Sequence, residues 1–444
     1  MATSAQDVLR RLADDGIERI DLKVADLEGR WHSFGLEAHR FGAEAFEQGL
    51  ACDSLPVEPG RMASPSSGLV LLPDPGTAWI DPFLSPRSLS LIAAFEAPQE
   101  AGASFRHCPR SLTVRALAQL GNSGLADAAR FGAEPGFFLF EDLTSHTDAL
   151  GCGCRVTVGS ASPEVVQGEL LLTLAALGIQ ARPTGEASSA PLQSLTLASN
   201  DPLRIADALM VSRYVVRKVA RRHGWSATFL PRPTLDRACA GMAVHQSLWK
   251  AGHPLFCGEG TYAELSQTAR WYMGGLLRHG PSLAAFTNPG SNSYRRLRCG
   301  PEAPTRMTYA RNDPSTVIGV PSTGSDPGKR RVVLRQPDGL ANPYLAFSAM
   351  LMAGLDGLRR QIDPGPPSDR EPAGAAAPDP ADGRTLPADL GGALDALAED
   401  RDYLLSGDVF SRELLDDWIA LKRQEVEALE HRPHPHEFCG EPFA

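Results

Sequence analysis

The chain has 444 residues, of which 43% are apolar, 22% charged and 7% aromatic, and its formal charge is −10. This composition excludes collagen-like, coiled-coil and wholly disordered chains, and the length is sufficient for two domains with sizeable cores. An acidic chain without a long basic run argues against nucleic acid or an anionic membrane as the main partner.

The N-terminal segment and the cysteines favour a cytoplasmic location. The first residues carry charges throughout and lack the apolar centre of a secretory signal. No apolar run approaches the roughly 18 residues that a membrane-spanning helix needs. The eight cysteines are scattered, and the close pair Cys152 and Cys154 forms a C-x-C, which is a weak metal motif. We therefore expect a reduced, cytoplasmic protein.

The first hundred residues predict one helix followed by short strands. Ser4 can cap a helix that stops at Gly16. Alternating apolar residues before and after a turn at 26–29 predict a hairpin, and further alternating or apolar runs predict two more strands. The predicted strands are residues 20–24, 31–34, 69–72 and 88–95.

From Pro109 onwards, long helical patterns alternate with strands. A capping residue followed by proline marks the start of several helices. The predicted helices begin at Pro109, Pro163, Pro202 and Pro343, with a last one at 412–431, and the predicted strands are 137–140, 227–230, 242–248 and 331–334. Seven prolines between 364 and 387 predict an extended surface loop.

Several motifs resemble the type I glutamine synthetase family, in the family's order and over nearly the whole chain. They are GAEPGFFLF (132–140), ATFLPRP (227–233), GMAVHQSL (241–248), NPGSNSYRRLRCGPEAP (288–304), KRRVVLRQPDGLANPYLAFSAMLMAGLDG (329–357) and HPHEF (434–438). The resemblance implies an α+β fold, with an N-terminal β-grasp domain (1–104) and a catalytic-type domain with a curved antiparallel sheet (105–444). It also implies a homo-oligomer, a double-ring dodecamer or a related assembly, with active sites between neighbouring chains.

The family's reaction uses ATP and two divalent cations, which five glutamates and one histidine hold; such cations prefer carboxylate ligands. Only two ligand positions are retained, as Glu134 and Glu186. The other four carry residues that cannot bind a cation, namely Gly136, Ala243, Val333 and a position near Leu195, where the match can shift by one or two residues but no acid occurs from 187 to 200. The resemblance therefore implies residual metal ligands at Glu134 and Glu186 without the full set.

The phosphate-binding side of the site also departs from the family. An arginine that faces the nucleotide phosphates is replaced by Asp313, and a second one is replaced by Gly319. The aspartate is expected to reverse the local charge, and each unit of charge is worth roughly 4 kcal/mol at about 4 Å and an effective dielectric near 20. The family's substrate segment K-G-G-Y-F is shortened here to about GCGCRVTV. Its N-G-S-G loop is changed to ACAG. The tyrosine that some members adenylylate is absent from the proline-rich loop.

The substrate side of the site is better preserved. Asp53 and Glu302 match the acids of the family's ammonium pocket and are the predicted catalytic groups. The predicted substrate-binding residues are Arg296, Arg331, Arg335 and His245. From the residues alone other roles stay open: His245 on an apolar strand favours a hydrogen-bonded core histidine, Glu134 suits a structural ion pair, and a basic run such as 295–298 is usually a solvated face.

These observations leave three hypotheses. The first is a repurposed enzyme of specialised metabolism that acts on a small carboxylate-bearing amino acid or amine without two-metal ATP chemistry. The second is a catalytically silent pseudoenzyme that binds a metabolite or a partner. The third is a residual ATP-dependent amide ligase. No cofactor is expected under the first two, and Mg or Mn with ATP is expected under the third.

Overall fold

The computed structural model describes residues 4–51, 69–96, 107–148, 151–157, 163–184, 191–234, 239–324, 326–369 and 383–432. Two predicted site residues, Asp53 and Glu186, lie outside the described residues, as do most of the proline-rich loop and the HPHEF motif. In the described part of the chain, no helix combines the length and the apolar character needed to cross a membrane.

The strands of the first sheet are β1 (Arg19–Ala25), β2 (Trp31–Glu37), β3 (Leu50–Ala51), β4 (Val70–Pro73), β5 (Trp79–Asp81) and β6 (Ser88–Glu96). Within the described residues their order is β2-β1-β6-β4-β3, with β5 also on β6. The predicted hairpin is present, because β1 and β2 pair antiparallel from Arg19–Glu37 to Ala25–Trp31. Strands β1 and β6 pair in parallel.

A second, mainly antiparallel sheet carries the candidate site. Its strands are β7 (Ala128–Phe140), β10 (Ala181–Pro183), β11 (Leu192–Asn200), β12 (Ser226–Thr228), β13 (Met242–Lys250), β14 (His253–Pro254), β15 (Arg306–Ala310), β16 (Thr316–Gly319) and β17 (Val332–Leu334). Across the described residues the order is β10-β11-β7-β13-β17-β16-β15. Strands β8 (Asp142–Asp148) and β9 (Gly151–Thr157) form a separate hairpin.

The helices pack on these sheets and on one another. They are α1 (Ala5–Asp14), α2 (Glu44–Glu47), α3 (Pro109–Asn122), α4 (Pro163–Ala176), α5 (Pro202–Arg222), α6 (Gln267–Arg278), α7 (Gly280–Thr287), α8 (Ser291–Leu297), α9 (Pro343–Arg360), α10 (Leu390–Glu399), α11 (Asp402–Leu405) and α12 (Arg412–Glu430). The predicted caps hold: Asp201 accepts a hydrogen bond from the Arg204 amide, and Asn342 accepts one from the Tyr344 amide. The α+β prediction is confirmed.

Helix α9 lies at the centre of the largest core cluster, against α6 and α3. Glycines allow the close approach of α6 and α9: a Cβ on Gly275 would lie 2.1 Å from the Ala353 carbonyl oxygen, and one on Gly357 would lie 2.3 Å from that of Trp271. Helices α6 to α8 had no counterpart in the sequence-based prediction. The residues of α7 give a weak helical period and α8 is short, whereas α6 has a clear apolar face that the sequence analysis missed.

Candidate active site

The register of three central strands brings the candidate residues onto one face of the second sheet. On the neighbouring strands Glu134 lies opposite Ala243, and His245 lies opposite Val333. Directly paired residues share a face, and so do residues two apart on one strand. Positions 134, 136, 243, 245, 331, 333 and 335 therefore point to the same side of the sheet.

A chain of hydrogen bonds links three of the predicted residues. The Arg331 Nε donates to His245 Nδ1 at 2.9 Å, and His245 Nε2 lies 2.9 Å from Glu134 Oε1. Because an arginine can only donate, His245 Nδ1 must be the acceptor, so its proton is on Nε2 and is donated to Glu134. This hydrogen bond is the main reason that the pKa of Glu134 is lowered, although burial opposes it. The structure thus joins a residual metal ligand to two predicted substrate residues.

The positions that the resemblance assigns to cations offer few ligand atoms. Gly136, Ala243 and Val333 lie on the site face without an oxygen or nitrogen in their side chains. Leu195 does not face the site: it is 1% exposed in a core cluster with Phe137 and Leu139. Its neighbour Ser194 lies opposite Gly136 and so faces the site, which is within the shift of one or two residues that the sequence match allows.

Ser194 does not restore a charged ligand, because its hydroxyl donates to the Thr184 carbonyl oxygen at 3.3 Å. Among the described residues, Glu134 is the one carboxylate at the positions of the family's metal ligands, and it is already bonded to His245. Divalent magnesium or manganese held for phosphoryl transfer takes several oxygen ligands. The described donor set does not fit a pair of such cations.

Asp313 does not act as the sequence suggested. It is fully buried, with Oδ2 accepting from Arg306 at 2.9 Å and Oδ1 accepting from the Ser315 amide and hydroxyl at 2.9 and 2.7 Å. The expectation that it places a negative charge at the phosphate side is wrong, because the carboxylate turns inward and pairs with Arg306. The resemblance still implies that an arginine is missing at this position.

The guanidinium of Arg335 fills the space beside Gly319. A Cβ at position 319 would lie 2.4 Å from Arg335 Nη2, so the absence of a side chain there permits this arrangement. The Nη1 of Arg335 donates to the Asp313 carbonyl oxygen at 2.6 Å and to the Thr316 hydroxyl at 3.3 Å. Its Nε and Nη2 have no acceptor among the described residues, and Arg335 lines the cavity of the site. These donors remain available to a ligand.

Arg296 is buried, unlike its exposed neighbours Arg295 and Arg298. Its Nη1 donates to the carbonyl oxygens of Gln336 and Pro337 at 2.7 and 3.3 Å, and its Nη2 donates to that of Arg335 at 2.9 Å. Burial lowers its pKa. The basic run is therefore not a solvated face at Arg296, which fixes the main chain next to Arg335.

A cavity of about 380 Å³ opens on this face of the sheet. Its charged lining residues are Glu134, Arg296, Glu302 and Arg335. Glu302 is exposed at its rim, whereas His245 and Arg331 lie behind Glu134 and do not line it. Two acids and two cations around so small a cavity suit a ligand that carries both a carboxylate and an amine.

A disulfide joins Cys239 to Cys299 beside this cavity. The expectation of reduced cysteines is therefore wrong for this pair. The two residues are 60 positions apart, and the fold brings the segment before β13 next to the segment after α8. Spacing alone could not reveal the pairing. Disulfides are rare in the cytosol, so the cytoplasmic location stays a prediction.

The comparisons with known proteins agree with this architecture. The family model described as glutamine synthetase, catalytic domain, matches residues 106–440. The chain belongs to the glutamine synthetase family. The glutamine synthetases of Streptomyces coelicolor and Frankia alni are 38% and 36% identical to it, and each alignment covers 99% of both chains.

A cryo-EM structure of Plasmodium falciparum glutamine synthetase has the same fold, with a TM-score of 0.87, 19% sequence identity and 98% of each chain covered. The glutamine synthetase family consists of ATP-dependent ligases that use magnesium or manganese. Membership confirms the resemblance. Because one fold can carry different activities, the function of this chain depends on which residues form the site.

Proposed function

We propose that this protein binds a small amino acid or amine that bears a carboxylate, and acts on it without two-metal ATP chemistry. The observation that supports the proposal most directly is the donor set of the site. At the family's cation positions the described residues provide one carboxylate, Glu134, which His245 already engages.

Phosphoryl transfer depends on neutralising the phosphates, because positioning and electrostatic stabilisation supply nearly all of the catalysis. A cation bound at Glu134 would compete with the His245 hydrogen bond and would find apolar groups at positions 136, 243 and 333. Bringing a nucleotide triphosphate into such a cavity is unfavourable. The loss of both phosphate-facing arginines makes the binding of a triphosphate still less favourable.

In this proposal Arg335 binds the substrate carboxylate through Nε and Nη2, which can engage its two oxygens in parallel. Arg296 acts through the carbonyl groups of 335–337 and holds that segment in place. Glu302 and Asp53 handle protons at the amine end of the substrate, because facing carboxylates in a closed pocket can be tuned for acid–base chemistry. The Glu134–His245–Arg331 chain fixes the opposite wall.

The first experiment measures thermal unfolding with Mg-ATP or Mn-ATP, because a ligand that binds only the native state raises the midpoint. The proposal requires no rise, and also no ADP release with any pair of carboxylate and amine substrates. A clear rise together with ADP release would refute it and favour the amide ligase. That alternative is supported by the relatives, which carry the name glutamine synthetase at 36% and 38% identity over their full length.

A second experiment separates an enzyme from a silent binder. A screen of amino acids and amines by thermal shift first identifies a ligand, whose turnover is then followed by mass spectrometry. Glu302→Gln should abolish turnover while weaker binding of the ligand stays measurable, whereas Glu259→Gln, at an exposed acid away from the cavity, should change neither turnover nor affinity. A ligand that binds without ever being converted would favour the pseudoenzyme.

We also propose that the chain forms a homo-oligomer, a double ring or a related assembly, in which the N-terminal domain (1–104) of one copy approaches the catalytic-type domain (105–444) of the next. Asp53 would then reach a neighbour's site. Light scattering of the full-length chain tests the assembly, and a monomer would contradict it.

A further inference from the structure

A second cavity, larger than that of the candidate active site, lies between the β1–β2 turn, α5, α8 and α12. Its volume is about 930 Å³, and none of the described residues assigned above to the active site lines it. We call it the basic cavity, after its charged lining residues. The cations are Arg30, Arg213, Arg217, Lys218, Arg295 and Lys422, and the acids are Glu28 and Glu425.

The two acids are already used by the cations at one end of the basic cavity. Lys422 Nζ lies 2.9 Å from both Glu28 Oε1 and Glu425 Oε2, and Arg30 also pairs with Glu28 at 2.5 Å. The remaining four cations lie toward α5 and α8, and none of them has a carboxylate within ion-pair distance among the described residues. They are Arg213, Arg217, Lys218 and Arg295.

Arg213 is the buried cation of this group, whereas Arg217 and Arg295 are exposed at the cavity. The Nη2 of Arg213 donates to the Ala341 carbonyl oxygen at 2.8 Å, and its Nε has no acceptor in the described part of the chain. Arg217 follows one helical turn later, and both guanidinium groups lie over the ring of Phe229, at 5.8 and 5.2 Å. Burial and the charge of Arg217 lower the pKa of Arg213 to about 10.

Like charges one turn apart destabilise a helix, and a buried donor without an acceptor is costly. An anion in the basic cavity would relieve both effects. The buried Asp338 partly offsets the charge of Arg213. Since none of the four cations has a carboxylate at ion-pair distance among the described residues, a ligand with more than one negative charge suits them, and arginines match the geometry of phosphate oxygens. The volume lies within the usual range for small-molecule sites, about 300–1,000 Å³.

We propose that the basic cavity is a second ligand site, separate from the candidate active site, which binds a small phosphate-bearing anion through Arg217, Lys218 and Arg295 above the buried Arg213. This proposal does not depend on the proposed function, because it concerns other residues and another ligand.

The test is titration calorimetry of the full-length protein with inorganic pyrophosphate, without divalent cations. Arg217→Ala and Arg295→Ala should each weaken binding about tenfold or more, since each removes charge-assisted hydrogen bonds. Arg221→Ala is the matched control: it removes the same charge from an exposed position of α5 that does not line the basic cavity, and it should leave affinity unchanged.

Three other outcomes would overturn the proposal. Loss of pyrophosphate binding in Arg335→Ala, with binding intact in Arg217→Ala, would place the anion in the candidate active site instead. Equally tight binding of succinate would contradict a preference for phosphate. No binding by the wild-type protein, together with dissociation of the oligomer in Arg217→Ala, would show that these cations pair with another copy of the chain.

Discussion

Restoring two cation ligands should give this protein a nucleotide-dependent stabilisation that the wild type lacks. The change is the double substitution Ala243→His with Val333→Glu, on strands β13 and β17. Both positions lie on the face that carries Glu134, since Ala243 is paired directly with Glu134 and Val333 is paired with His245. The new side chains would therefore converge on the one carboxylate that the described site retains.

The magnitude follows from the charges. Two unit charges about 4 Å apart attract each other by roughly 4 kcal/mol at an effective dielectric near 20, and a divalent cation doubles this Coulomb energy for a carboxylate. Dehydration of the two ions removes much of this gain, and we expect a net gain of about 2 kcal/mol. Without a cation, the glutamate at buried position 333 is unfavourable, so the double variant should unfold at a lower temperature than the wild type.

The assay is thermal unfolding at a fixed protein concentration, with and without excess Mn-ATP. The double variant should gain about 2 °C or more, while the wild type should gain nothing. The charge-neutral control is Ala243→Asn with Val333→Gln, which has similar shape and should not respond. The reasoning is refuted by a wild-type rise as large as that of the double variant, or by an equal rise in the control.

Two further predictions concern the stability of the fold. His279 is buried between Asp356 and Asp400, at 2.9 and 2.8 Å, and these hydrogen bonds raise its pKa although burial opposes them. The protonated His279 contributes fully to the free energy of unfolding below its ordinary pKa of 6.5, and this contribution is lost as the pH rises through the raised pKa of the folded state. The wild type should therefore be more stable than His279→Gln in urea unfolding, and the difference should shrink above pH 6.5. A pH-independent difference would contradict this. Gly354→Ala should cost about 1–3 kcal/mol in the same assay, because the new Cβ would lie 2.0 Å from the Tyr272 ring, and an unchanged midpoint would contradict it.

The sequence could predict strands of the site at 137–140, 242–248 and 331–334, because their residues form apolar or alternating runs, whereas β11, β15 and β16 were not predicted. Strand β11 was not predicted, so the sequence could not decide that Ser194 rather than Leu195 faces the site; a shift of one residue in a strand exchanges its two faces. Because residues 187–200 contain no acid, neither Ser194 nor Leu195 supplies the carboxylate ligand that the family has there.

Orientation and long-range pairing could not be read from the residue types. Asp313 could face a ligand or the protein, and only the position of Arg306 decides that it turns inward. Arg296 belongs to a run of arginines that looks uniform in sequence, but its α8 position buries it against the carbonyl groups after β17. The Cys239–Cys299 bond depends on a contact between segments that no local pattern predicts.

The departures around β16 and β17 form one consistent change rather than independent losses. Gly319 leaves room for Arg335, whose Nη1 then reaches the carbonyl oxygen of Asp313. That carbonyl is held in place because the Asp313 side chain is anchored by Arg306 and Ser315. An arginine at position 319 would occupy the space of the Arg335 guanidinium. An exposed arginine at position 313 would lack the carboxylate that Arg306 and Ser315 hold, so the carbonyl oxygen that accepts from Arg335 would no longer be fixed. Gly319 and Asp313 therefore hold Arg335 so that its Nε and Nη2 have no acceptor among the described residues, and this is the arrangement on which the proposed binding of a carboxylate depends.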